Sequence, residues 1–145
     1  MATAKWDTPV AIATILSTDL NALANGAYSA ASAAVNNETG LNLYASFELY
    51  LASLTPAAGG YCAVHILYSL DGTNFADGGG ATAPSAGSLV CTFDLSTATA
   101  VKRHVRGNIL LAPYQFKVVL LNAAGAALAA TGNTLKYRVH SEQIA

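Results

Sequence analysis

The chain has 145 residues, 53% of them apolar and only 10% charged, with seven basic and eight acidic side chains for a net charge of −1. That length suits a single domain burying about 70% of the surface its unfolded chain exposes, and the near-neutral balance excludes the clustered Lys and Arg excess with which nucleic-acid and anionic-membrane binders displace counterions. Charge well below the usual share of about a quarter predicts a surface partly covered by other protein, an expectation tempered by the many Ala and Gly residues, which add apolar count without sticky patches.

In chain order, the start "MATAKWDTP" has no periodicity and is expected as an arm over residues 1 to 13, with Trp6 as an anchor on a neighbouring subunit. It imitates a secretory leader only faintly, because Asp7, Pro9 and the threonines interrupt the apolar stretch. "VAIATILS" reads as a strand. "STDLNALANG" reads as one short helical turn capped by Ser17, Thr18 or Asp19, carrying Leu20 and Leu23 and ended by Gly26. In "AYSAASAAVNN" alanine propensity favours helix, whereas Gly26, Ser29, Ser32 and the following "NNETG" turn favour a strand of small residues beside another backbone, the reading preferred.

Strict alternation in "LNLYASFELYLAS" places Leu41, Leu43, Ala45, Phe47, Leu49 and Leu51 on one face and Asn42, Tyr44, Ser46, Glu48 and Tyr50 on the other, a long half-buried strand. "YCAVHILYSL" follows it through "TPAAGG", whose Pro and two Gly predict a hairpin loop. Then come the loop "LDGTNFADGGGATAPSAGS", the strands "GSLVCTFDL", "VKRHVRGNILL" and "YQFKVVLLN", the connection "NAAGAALAATG" and the strand "NTLKYRVHS". The last should point Leu135, Tyr137 and Val139 inward and Lys136, Arg138 and His140 outward. About eight strands with almost no helix predict a single antiparallel β-sandwich over residues 14 to 145; eight strands suit a jelly roll.

The loop after Leu70 is the best place to look for chemistry. Counting a calcium loop from Asp71 puts Ala76 at the glycine position and Thr82 at the bidentate acid position, so the helix-loop-helix pattern fails. An irregular calcium site on Asp71, Asn74 and Asp77 is the alternative to plain turn chemistry at Asp71-Gly72, with Phe75 folding back onto the sheet edge. The glycines precede neither a Lys-Ser/Thr pair nor a helix, which argues against a phosphate cradle. The loop itself reads as a flexible surface segment placed to meet a neighbour.

Cys62 and Cys91 are too few for a disulfide framework and are expected as reduced, buried thiols, which leans toward a cytosolic origin. Cys62 and His65 are three apart on a strand and so point to opposite faces, poor placement for a nucleophile and its base. Neither His65, His104 and His140 nor Glu38, Glu48 and Glu142 fall in a metal or acid–base spacing. Lys102 and Arg106 share one strand face and Arg103 the other, so these three cations do not make one basic surface. Tyr44 and Tyr50 lie on the polar face of their strand, as either an interface or ordinary sheet decoration. No apolar run approaches the ~20 residues of a spanning helix, so a soluble chain is expected.

The segments "LANGAYSAASAAVNNETGLNLYASFELYLASL", "HILYSLDGTNFADGG" and "NILLAPYQFKVVLLNAAGAALAATGNTLKYRVHSEQIA" together resemble small virion proteins of tailed bacteriophages that decorate or cement the capsid. The resemblance lies in the order of segments over roughly residues 14 to 143. It implies a β-sandwich, often a jelly roll, made in the host bacterial cytoplasm and bound to the capsid exterior. The major capsid protein would be the partner, and the protein itself a dimer or trimer. It also implies no enzymatic activity, cofactor or metal, and no nucleic-acid or membrane partner. The residues expected to meet a partner are Trp6, Tyr44, Tyr50, Asp71, Asn74 and Phe75. The first rival expectation is a tail or receptor-binding sandwich that recognises host glycans; the second is a jelly-roll enzyme such as a cupin, for which three scattered histidines are poor material.

Overall fold

Alternating apolar residues draw eight strands into two packed antiparallel sheets, described here from a computed structural model over residues 3–144. Met1 and Ala2, the first residues of the expected arm, lie outside the described residues, as does Ala145. Among the described residues there are ten strands, β1 (Ala4–Trp6), β2 (Ala13–Leu16), β3 (Val35–Asn36), β4 (Tyr44–Leu54), β5 (Tyr61–Ser69), β6 (Leu89–Asp94), β7 (Ala100–Leu110), β8 (Gln115–Ala123), β9 (Thr134–His140) and β10 (Glu142–Ile144), of which β1 and β10 pair only with each other. The expected antiparallel β-sandwich is therefore found.

Its pairing is nested. β5 pairs with β6, β4 with β7, β3 with β8 and β2 with β9, as though one long hairpin had been folded over on itself. Folding then brings β9 against β4 and β8 against β5, completing the orders β2-β9-β4-β7 and β3-β8-β5-β6. The "TPAAGG" turn is accordingly not a hairpin: it carries the chain from β4 in one sheet to β5 in the other. It is held there by the carbonyl of Ala124, which accepts from the Ala57 N–H at 2.8 Å. A Pro-Gly signal marks a reversal of the chain but does not say whether the two strands pair across it.

Between the sheets lie Phe47, Leu49 and Leu51 of β4, Cys62, Val64 and Ile66 of β5, Phe93 of β6, Phe116, Val118 and Leu120 of β8, and Leu135 and Val139 of β9, the inward positions of each alternation. Leu41 and Leu43 depart from expectation. β4 starts after them at Tyr44, and both are exposed, Leu41 in a left-handed backbone conformation. The helical turn before residue 26 is a short 3-10 turn, Thr18–Leu20, with no side-chain cap, anchored by fully buried Leu20.

The small-residue stretch expected as a strand is extended chain laid along β8, with one isolated bridge at Tyr28 and regular strand only at Val35–Asn36. Ser29 and Ser32 donate backbone N–H groups to the carbonyls of Leu120 and Val118, at 2.8 and 2.9 Å. Their hydroxyl oxygens accept the N–H groups of the same two β8 residues, at 3.0 and 2.9 Å. Serine here supplies acceptors that a regular ladder would have drawn from backbone carbonyls, which keeps the buried β8 amides satisfied.

Candidate functional site

The two outer faces of the sandwich differ. On the β3-β8-β5-β6 sheet, β5 is buried on both sides: Ala63, His65, Leu67 and Ser69 point away from the core yet are as hidden as the core itself. The cover is the chain's own residues 26–34 and 70–88. Gly79, with φ of +99°, lies so close to the small-residue stretch that a Cβ there would come within 2.8 Å of the Ala31 nitrogen, and the Gly80 N–H donates to the Ser29 carbonyl at 2.8 Å. The loop expected to be flexible is thus a packed cover, because its glycines permit backbone-to-backbone approach.

His65 and Ser88 fasten that cover, with Nδ1 and Oγ 2.9 Å apart and the Tyr28 ring edge-on to the imidazole. The pair has the outline of a base and a nucleophile. However, the Ser88 hydroxyl donates to the Ser85 carbonyl at 2.6 Å, so Nδ1 must be the donor to Oγ and the ring has no lone pair to offer the serine. Burial lowers the His65 pKa, favouring the neutral ring. Burial also pushes the Cys62 thiol up to about 12 and the Cys91 thiol to about 11, the latter opposed by the charge of Arg106; both are free cysteines with little thiolate character.

Asp71 organises its own turn. Its Oδ1 accepts from Ser69 Oγ and from the N–H groups of Thr73 and Asn74, and its Oδ2 accepts from Asn74 Nδ2, at 2.7 to 2.9 Å. These bonds, those from Asn74 foremost, hold the carboxyl well below the usual carboxylate range. Three of these bonds converge on Oδ1 and one on Oδ2, so the carboxylate is committed to shaping the turn. Phe75 folds back toward β8, where Lys117 Nζ sits 4.5 Å from its ring centre.

By contrast, the outer face of the β2-β9-β4-β7 sheet is only partly covered: Trp6 packs on one end of it and Ile12 flanks a groove further along, and the outward residues of β4 keep intermediate exposure. At one end Trp6, Tyr44 and His140 pack together, with ring centres 5.9 Å apart for Trp6–Tyr44, 5.3 Å for Trp6–His140 and 5.6 Å for Tyr44–His140. Glu142 Oε1 accepts from the Tyr44 hydroxyl at 3.4 Å, and Asn108 Oδ1 lies 3.1 Å from His140 Nε2. Rings this close fill the space between them, so they form a platform and not a cage around a ligand. Trp6 is still half exposed.

Of the six residues expected to meet a partner, Trp6 and Tyr44 are in this cluster. Tyr50 lies on the same face about 20 Å further along β4, under the Arg103 guanidinium at 5.3 Å. Asp71, Asn74 and Phe75 are on the opposite sheet, at the same end of the sandwich as Tyr44, because residues 111–114 join β7 to β8 there. That end also gathers seven of the thirteen large apolar side chains exposed among the described residues: Trp6, Leu41, Leu43, Leu70, Leu110, Tyr114 and Ile144. These leucines are hidden in the sequence because alternation assigns Leu41 and Leu43 to the core and says nothing about Leu70, or about Leu110 at the end of β7.

Further along the open face, Ile12 of the arm and Val105 of β7 flank a groove of about 320 Å³ together with Ser46, Glu48, Lys136 and Arg138. Among the described residues no helix is long and apolar enough to cross a membrane. Compared with known protein families, characterised proteins and solved structures, the chain matches none.

Proposed function

We propose that the protein is a non-catalytic structural module of a tailed-bacteriophage virion that binds the outer surface of the capsid and cements the assembled shell. The observation that carries the reading is the concentration of exposed apolar and aromatic side chains at one end of the sandwich, beside a partly open sheet face. Contiguous exposed patches of this kind mark protein interfaces, and Trp and Tyr anchors dominate their energetics. The nested strand pairing supports reading the sandwich as a jelly roll, in keeping with the capsid-decorating proteins that the sequence resembles. The major capsid protein is the partner in this reading, and a dimer or trimer of the chain gains avidity by holding several shell subunits at once. A ligand that binds only the assembled shell stabilises it by mass action, about 2.7 kcal/mol per site at a hundredfold excess over Kd.

The test is the position and occupancy of the chain on intact particles by cryo-electron microscopy and quantitative mass spectrometry. Deleting residues 1 to 9, or Leu110→Asp, should lower shell affinity by about tenfold or more. Absence of the chain from virions, or unchanged occupancy after both changes, would refute the reading. A second reading, glycan recognition by a tail or receptor-binding module, draws on the half-exposed Trp6 ring beside Glu142. Saccharide binding lost in Trp6→Ala, together with no shell occupancy, would favour it.

A further inference from the structure

We infer that the groove on the open face takes an extended acidic segment of a partner protein. The inference deepens the docking role proposed above by assigning the chemistry of the partner at one part of that surface. Lys136 and Arg138 project from β9, and Arg103 projects from β7 opposite Tyr50. Glu48 alone opposes them, lying between Lys136 and Val105 in the register of the three strands. The groove lining itself therefore carries an excess of one positive charge, Lys136 and Arg138 against Glu48, and Arg103, two residues from Val105 along β7, adds a second beyond its rim, on a chain whose net charge is −1. Sequence spacing could not show it, since the cations come from strands some 30 residues apart.

The arrangement selects among occupants. A second copy docking the same face by a two-fold axis would set these cations against each other, which disfavours it. A nucleic-acid strand would bring phosphates onto Glu48 and leave Ile12 and Val105 without apolar contacts. A protein segment meets both requirements. Lys136 and Arg138 are two residues apart on one strand face, about 7 Å, the spacing of carboxylates at alternate positions of an extended partner. An apolar side chain on that segment would sit between Ile12 and Val105.

The experiment titrates the full chain with a fluorescent eight-residue peptide of alternating Glu and Val, beside a Lys-Val peptide and an oligothymidylate of the same length. Saturable binding of the Glu-Val peptide is expected, with affinity falling about tenfold or more as salt rises from 50 to 500 mM. Lys136→Glu with Arg138→Glu, and separately Val105→Asp, should each weaken it by about tenfold with far-UV circular dichroism unchanged. Absence of saturable binding, equal binding of the Lys-Val peptide or oligothymidylate, or indifference to both variants would overturn the inference. A chain that binds the peptide as described but is missing from shells would sink the docking role and leave the acidic-segment site standing.

Discussion

The two outer faces of this sandwich are built from similar strands and have opposite fates. On β5 the outward residues His65 and Leu67 are sealed beneath the chain's own small-residue stretch and glycine loop, whereas on β4 the outward residues Tyr44, Ser46, Glu48 and Tyr50 keep partial access to solvent. A sheet face covered from within contributes to the stability of the fold; a face left partly open contributes to it less and is free to contribute to binding. Substitutions on the two faces should therefore separate stability from association.

The largest effect is expected at Leu67, fully buried on the covered face. Leu67→Ala should cost about 2–5 kcal/mol in urea unfolding, while Val105→Ala on the partly open face should stay within about 0.5 kcal/mol. Equal costs would abolish the distinction. Next in size is Ser32→Ala, which leaves the buried Val118 N–H without its acceptor and should cost about 1–3 kcal/mol, with faster amide exchange at Val118 than at Val119.

The smallest effect sharpens the comparison through pH. The unfolded imidazole of His65 takes up a proton below its ordinary pKa of 6.5, while burial lowers the folded value. The unfolded state then holds more protons, so stability falls as pH drops below about 6.5, until the folded ring titrates as well. Denaturant midpoints at pH 7.5 and 5 should differ in the native chain and differ less in His65→Gln. An unchanged pH dependence in that variant would remove His65 as its source.

Part of this was legible in the sequence. Period-two alternation identified β4 and β9 with their inward residues, and Asp71-Gly72 identified a turn that Asp71 does organise through bonds from Thr73 and Asn74. The candidate surface was legible only in fragments. The sequence marks Trp6 and Tyr44, gives His140 only an outward direction, assigns Leu41 and Leu43 to the core and says nothing of Leu70 or Leu110. The serines mark residues 27–34 as running beside another backbone, but the stretch forms a single bridge at Tyr28 and becomes a strand only at Val35–Asn36, because Ser29 and Ser32 replace ladder bonds with side-chain ones.

What the sequence by itself determined is local: which residues alternate, where the chain turns, and how little charge there is to spread over the surface. These follow from the two-residue repeat of a strand and from turn chemistry, each set within a few residues. Tertiary structure alone decided that TPAAGG crosses between sheets, that the glycine loop becomes a cover, and that Arg103, Lys136 and Arg138 share one face. Each depends on which distant strands pair, and strand pairing is chosen by burial over the whole chain, which no short stretch of it encodes.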